Sequence, residues 1–85
     1  MTLENIYALS PAEAVEALDL YIAAHPNEDE AYTLRGLRHW ALGHRAKAIN
    51  DYLKAISINP QSRAVQALAN ANAILDFYNK NLYNP

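Results

Sequence analysis

Apolar and small residues recur at helical intervals through the middle of the chain, from Asp29 to Pro60. Spacings of three and four residues place them on one helix face in each half of this stretch. They are Ala31, Leu34, Leu37, Ala41 and Leu42 in the first half and Ala48, Ile49, Tyr52, Ala55 and Ile56 in the second. Gly43 lies between the halves, where a left-handed residue ends a helix and reverses the chain. The pattern therefore predicts a helix–turn–helix unit that Pro60 terminates.

A shift of 34 residues superimposes the N-terminal part of the chain on this central unit. The matched pairs are Pro26 with Pro60, Ala14 with Ala48, Leu18 with Tyr52, Ile22 with Ile56, Ala24 with Ile58 and Leu3 with Leu37. The same register aligns Ile6, Trp40 and Ile74, which predicts one continuous apolar stripe. Self-similarity of this length is the signature of a repeat architecture.

Two helices are predicted before the central unit. Residues Met1 to Leu9 should form a truncated first helix of about two turns. The second helix runs from Pro11 to about Ala24, with Ser10 as N-cap and Glu13 able to reach back in a capping box. His25 ends it, because the residue before a proline is pushed out of the α region. This helix would bury Ala14, Leu18, Tyr21 and Ile22 and expose Glu13, Glu16 and Asp19.

Three further helices are predicted. The third begins at the run Asn27 to Glu30, whose acidic groups complement the positive end of the helix dipole. The fourth begins at His44 or Arg45 and ends near Ile58, and the fifth runs from about Arg63 to Asn79 behind the cap Ser62. Polar residues of the fifth helix suit a terminal cap of the array, namely Asn70, Asn72, Asp76, Asn79 and Lys80. We expect the aromatic side chains of Phe77, Tyr78 and Tyr83 to pack against the preceding helices.

Composition supports an all-α class and a small domain. The 85 residues include two Gly, four Pro and no Cys, which is typical of helices rather than of a sheet with many turns. The lack of cysteine excludes disulfides, thiolate catalysis and cysteine-ligated zinc. A chain of this size buries only about 60–65% of its unfolded surface, so a deep catalytic cleft is not expected.

The charge pattern bears on possible partners. The net charge is −2 and the basic residues are scattered, so there is no basic stripe and nucleic acid is not an expected partner. No apolar run approaches the roughly 20 residues that span a bilayer, and the N-terminus lacks the basic start of a signal peptide. The sequence therefore predicts no membrane association and a cytoplasmic location.

Candidate chemistry is sparse. His39 and His44 lie five residues apart across Gly43 rather than three or four apart on one face, and His25 belongs to another connector. No metal site is predicted from this spacing. The serines serve as helix caps or lie near helix ends, and no glycine-rich phosphate loop is present. We therefore predict no cofactor and no enzymatic activity.

The central unit resembles the tetratricopeptide repeat (TPR) family, whose pattern is W-x2-L-G-x2-Y, A-x3-F and P over 34 residues. The corresponding residues are Tyr32, Arg35, Gly36, His39, Gly43 at the turn, Ala48, Tyr52, Ala55 and Pro60. The small residues would let the two antiparallel helices approach closely. Arg35 and His39 stand where the family usually has leucine and tyrosine, so the packing inside this hairpin is partly polar.

Arg35 lies on the inward face of its helix, where a charged group must find a partner or extend its head to solvent. Asp51 lies at about the same depth on the facing helix and is the best candidate partner. Alternatively, Arg35 extends to solvent over Trp40 or His39. In both cases the role is structural.

The resemblance implies a right-handed α-superhelix fragment of about two and a half repeats and five helices. Residues 1–85 would form one domain. Residues 1–28 are a partial first repeat, residues 29–62 a complete repeat, and residues 63–85 a capping helix and tail.

TPR domains are protein–protein interaction modules, which implies binding of a peptide or partner protein in a concave groove. The implied groove residues are Glu30, Thr33, Leu37, Trp40, Ala41, Ala67, Asn70, Ala71 and Ile74. Two roles are possible for Trp40. Its side chain could anchor the core between successive repeats, or it could project into the groove. Leu37 and Ala41 stand where some members carry a clamp for acidic C-terminal tails, so that activity is not expected.

Self-association is the alternative. An array usually needs at least about three repeats to be stable alone, so exposed repeat ends could complete one another in a homodimer.

Overall fold

Five α-helices form the part of the chain that the structure describes. The structure is a computed structural model that describes the backbone of residues 1–83 and the side chains of residues 1–76. The helices are α1 (Leu3–Tyr7), α2 (Pro11–Ala24), α3 (Asp29–Ala41), α4 (Arg45–Ile58) and α5 (Ala64–Tyr83). No strand occurs within these residues, which confirms the all-α class.

The observed boundaries agree with the sequence in the middle of the chain and differ at its ends. α2 and α4 match the predicted ranges. α1 has only five residues, capped by Thr2, whose hydroxyl accepts a bond from the Asn5 amide at 3.3 Å. α5 begins one residue later than predicted and continues to Tyr83, because no glycine or proline follows Asn79 before Pro85. The predicted packing of Phe77, Tyr78 and Tyr83 and the predicted capping role of Asn79 and Lys80 concern side chains outside the described part of the chain.

The turn between α3 and α4 has the geometry that Gly43 predicts. Gly43 has a φ of +81°, the left-handed value that favours glycine. Its amide donates to the Trp40 carbonyl at 3.0 Å, and the His44 amide donates to the His39 carbonyl at 2.9 Å. These two bonds form a Schellman motif, which satisfies carbonyls at the end of α3.

The predicted capping box at the start of α2 is wrong. Ser10 is the N-cap residue and Pro11 follows it, as predicted. However, the Ser10 hydroxyl donates to the Glu13 carboxylate at 2.7 Å and accepts no bond from a helix amide. A hydrogen bond to a charged carboxylate is stronger than one between neutral groups, which explains this preference.

Contacts across the central hairpin show that α3 and α4 run antiparallel. His39 meets His44 near the turn, and Arg35 meets Asp51 halfway along the helices. At the far end, the Asn59 amide group lies 3.5 Å from the Asp29 carboxylate. α2 also packs antiparallel to α3, since Arg35 reaches back to Asp19 while Tyr21 meets Glu28.

In contrast, α5 runs in the same direction as α3. Arg63, just before α5, binds Glu30 in the first turn of α3. Further along, Trp40 of α3 and Ile74 of α5 line one cavity. The two helices are therefore related by an offset of 33 or 34 residues along the chain, as the sequence shift predicts.

The core follows the predicted repeat register only in part. The pairs Ala14 with Ala48 and Leu18 with Tyr52 are all buried. In α2, Ile22 is also buried, whereas Tyr21 is only half-buried. The aligned trio is uneven, because Ile6 is fully buried, Trp40 is half-buried and Ile74 is 40% exposed. The predicted apolar stripe is therefore covered at α1 and open at α5.

Candidate functional site

Gly36 sets how closely α3 approaches α4. A Cβ atom on Gly36 would lie 2.5 Å from Cε1 of Tyr52 and 3.1 Å from the Ala48 carbonyl oxygen. The first distance is far below van der Waals contact, so only glycine fits this position. Because Gly36 has no side chain, the Tyr52 ring of α4 packs directly against the α3 backbone, where Tyr52 is 2% exposed.

Arg35 is bound rather than extended to solvent. Its Nε and Nη2 atoms donate to the two carboxylate oxygens of Asp51 at 2.9 and 2.8 Å. Its Nη1 atom donates to Asp19 at 2.9 Å. Asp51 is 7% exposed, and its hydrogen bonds raise the pKa of Arg35. The structure thus decides between the two alternatives in favour of the pair with Asp51.

A groove lies where α3, α4 and α5 meet. It encloses a cavity of about 210 Å³. Its lining is mostly apolar and consists of Leu37, Trp40, Tyr52, Ala67, Asn70, Ala71 and Ile74. Six of the nine groove residues that the sequence suggested are therefore brought together, and Tyr52, which the sequence assigned to packing, joins them.

The other three suggested residues do not line this groove. Thr33 is 1% exposed, and its hydroxyl bonds to the Asp29 carbonyl at 3.0 Å and to the Ser62 hydroxyl at 3.1 Å. The Glu30 carboxylate accepts two bonds from Arg63, at 3.1 and 2.7 Å. Ala41 is exposed at the end of α3 but outside the cavity. Thr33 in particular is too buried to meet a partner.

Trp40 combines the two roles that the sequence left open. Its side chain is half-buried against the core and also lines the groove. The Arg45 guanidinium lies 5.3 Å from the centre of the indole ring, within the range of a cation–π contact. Trp40 is therefore held in a defined orientation while part of its ring surface faces the groove.

The acidic run before α3 ties helices together, a role that dipole compensation alone did not predict. Tyr21 of α2 donates its hydroxyl proton to Glu28 at 2.6 Å, and this bond raises the pKa of Tyr21. Arg63 links Glu30 to the Tyr7 hydroxyl, which lies 2.7 Å from its Nη2 atom. These bonds connect α1, α2 and α3 with the start of α5. The 33-residue offset between Glu30 and Arg63 is the sequence signal that could have revealed the bond between these two residues.

Two histidines that the sequence kept apart are in contact. The Nδ1 atoms of His39 and His44 lie 3.3 Å apart. The five-residue spacing does not keep the two rings apart, because the Schellman turn folds the chain back so that both rings meet beside it. His39 is 8% exposed, and burial lowers its pKa. Within the described residues, no cluster of three or more His, Cys, Asp or Glu could hold a metal ion.

A second apolar cleft lies along α2. Leu20 is 77% exposed and Met1 is 76% exposed. They line a cleft of about 320 Å³ together with Ala17, Tyr21, Ala24 and His25. The sequence gave no separate signal for this surface.

No protein-family model, curated protein or solved structure matches the chain. Among the described residues, no helix is both long and apolar enough to cross a membrane.

Proposed function

We propose that this chain is a TPR-like protein–protein interaction module that binds an extended, mainly apolar segment of a partner in the groove between α3, α4 and α5. The observation that carries the proposal is the lining of this groove, where Leu37, Trp40 and Ile74 leave apolar surface open to solvent. Large exposed apolar patches mark interaction sites, and this lining is apolar and open to solvent.

Three features support the resemblance to TPR arrays. α2 and α3, and α3 and α4, form antiparallel hairpins, and α3 and α5 run parallel at the 33- to 34-residue offset. The Gly36 position accepts the Tyr52 ring directly, as small residues in the repeat pattern would allow. The left-handed Gly43 closes the hairpin at the turn position.

The chemistry of the lining favours apolar side chains in the ligand. Tyr52 is the only titratable residue of the seven, and burial raises its pKa, so it stays neutral at neutral pH. Asn70 supplies the one amide, whose oxygen accepts a bond from Gln66 at 3.0 Å. A charged ligand residue would find no opposite charge in this lining.

Trp40 provides both the hot spot and the reporter for a binding test. A peptide selected from a random displayed library against the immobilised chain should shift the emission of Trp40, which is the only tryptophan. Trp40→Ala should weaken binding by ~2 kcal/mol or more, because a large aromatic at the centre of an interface carries much of the energy. Circular dichroism would establish that the variant keeps its helices.

The controls lie on α4, where Lys47 and Lys54 are exposed away from the groove. Lys47→Ala and Lys54→Ala should leave peptide affinity nearly unchanged. If the lysine variants lost affinity and Trp40→Ala kept it, the binding surface would lie on α4 and the groove proposal would be abandoned.

A homodimer is the second candidate, favoured by the cleft along α2. An exposed leucine beside an exposed methionine offers a surface that a second copy of the chain could cover. Analytical ultracentrifugation should then show a concentration-dependent dimer, and Leu20→Lys should convert it to monomer by placing a charge in the contact. A chain that stays monomeric at high concentration would exclude this role.

A further inference from the structure

The contact between His39 and His44 has the geometry of a pair of metal ligands. Two nitrogens bound to one tetrahedral ion at about 2.0–2.1 Å lie about 3.3–3.4 Å from each other. The two Nδ1 atoms are 3.3 Å apart, with the ring centres separated by 5.5 Å and the ring planes at 45°. Both nitrogens therefore lie within reach of a single ion without movement of the backbone.

The backbone holds the pair in place. The His44 amide donates to the His39 carbonyl at 2.9 Å, and Gly43 takes the left-handed conformation that allows this bond. His39 is anchored in α3 and almost fully buried, whereas His44 is exposed at the start of α4. Because one ring is fixed and the other faces water, an ion could enter from solvent and keep water ligands.

The far side of the His39 ring suits a ligand. Its Nε2 atom lies 4.0 Å from the Asp51 carboxylate, which is beyond hydrogen-bond distance but places a negative charge on that side of the ring. Metal-binding histidines commonly have a carboxylate on the side of the second ring nitrogen, and a small movement of the His39 ring would bring Asp51 into that role. Arg35 and Lys47 also face His39, and their positive charges oppose a cation, while Asp51 and Asp19 oppose Arg35.

We propose that His39 and His44 bind one divalent transition-metal ion, of the Zn²⁺ or Cu²⁺ class, through their two Nδ1 atoms, with water completing the coordination. Imidazole nitrogen is a preferred ligand of both ions, and Cu²⁺ should bind more tightly than Zn²⁺. Binding requires both Nδ1 lone pairs, so the proton of the hydrogen bond between the two Nδ1 atoms must move to a ring Nε2 atom or to solvent.

Nuclear magnetic resonance of the ¹⁵N-labelled chain tests the site without a change to the buried His39. Addition of ZnCl₂ at pH 7.5 should shift the Nδ1 resonances of His39 and His44 together and leave those of His25 unchanged. Isothermal titration should give one ion per chain. Absence of the joint Nδ1 shift would overturn the proposal, and so would one ion per two chains, because the ion would then lie between copies.

Variants at exposed positions supply the matched comparison. His44 makes no side-chain capping bond, so His44→Ala should keep the fold. Loss of a supporting group alone costs about 10–100-fold in metal affinity, so loss of a ligand should weaken Zn²⁺ binding at least about tenfold. His25→Ala, at another exposed histidine, should bind like the wild type. Equal affinity of His44→Ala and wild type would refute the site.

Discussion

At the scale of single residues, Gly36 shows how one missing side chain defines the hairpin. Glycine inside a helix usually costs about 1 kcal/mol relative to alanine. Here the helix tolerates that cost because the Tyr52 ring occupies the place of the Gly36 side chain. The ring is 2% exposed, so neighbouring atoms oppose its movement on every side except that of the groove cavity.

Gly36→Ala should therefore destabilise the protein, although alanine is the better helix former. Overpacking costs ~1–3 kcal/mol, which exceeds the gain in helix propensity, and Gly36→Leu should cost more. Urea unfolding followed by circular dichroism measures the difference. In a Tyr52→Leu background, Gly36→Ala should lose most of its cost. A Gly36→Ala variant that is more stable than wild type would show that the ring is free to move.

At the scale of helices, Arg35 joins three elements at one point. Its guanidinium binds Asp51 of α4 with two bonds and Asp19 of α2 with one. The two partners differ in exposure, because the Asp51 side chain is 9% exposed and that of Asp19 is 59% exposed. Water screens the Asp19 pair much more than the Asp51 pair.

Two double-mutant cycles to alanine should separate these bonds. We expect a coupling energy of ~1–3 kcal/mol between Arg35 and Asp51, within the range for residues in direct contact. The exposed pair of Arg35 and Asp19 should give ~0.2–1 kcal/mol. Both cycles use unfolding free energies from urea titration. Equal couplings would mean that α2 and α4 hold Arg35 to the same extent, contrary to the geometry.

At the scale of the whole molecule, stability should depend on pH through His39. The pKa of His39 in the folded state lies below its ordinary value of 6.5, mainly because of burial, with Arg35, His44 and Lys47 lowering it and Asp51 raising it. At pH values between the lowered pKa of folded His39 and the ordinary pKa of 6.5, the unfolded chain binds more protons than the folded chain. The contribution of His39 to the free energy of unfolding is therefore fully present above about pH 6.5, and it is lost as the pH falls through the pKa of His39 in the folded state.

Urea unfolding at a series of pH values from about 7.5 to 5.5 tests this dependence. The unfolding free energy of the wild type should fall with decreasing pH, by at most about 1.4 kcal/mol per unit for one proton. His39→Gln cannot titrate and should show a shallower slope, whatever its absolute stability. Equal slopes for the wild type and His39→Gln would show that groups other than His39 cause the pH dependence.

Much of the helical framework was predictable because its signals act over a few residues. Pro11 and the His25-Pro26 stop bound α2, and Gly43 with Asn59-Pro60 bounds α4. The end of α5 was placed too early, since polar residues after Asn79 are weaker stop signals than a proline or glycine. The groove was predictable to the extent that the 34-residue register aligns α3 with α5.

Other features of the candidate site depend on how the helices pack. Thr33 and Leu37 both lie on the face of α3 that the register assigns to the groove, yet Thr33 is buried under Ser62 and Leu37 lines the cavity. No local pattern distinguishes them, because the difference arises from contacts with residues about 30 positions further along the chain. The same holds for Trp40, which is half-buried and lines the cavity together with residues of α5.

The order of residues alone was sufficient to predict the helical class, the central hairpin and its turn. Periodicity, glycine and proline act through local backbone preferences, which do not depend on distant parts of the chain. Tertiary structure alone decided that Arg35 binds Asp51 rather than solvent, and that His39 meets His44 across the turn. Both outcomes depend on distances between side chains of different helices, which are set by the close approach at Gly36 and the reversal at Gly43.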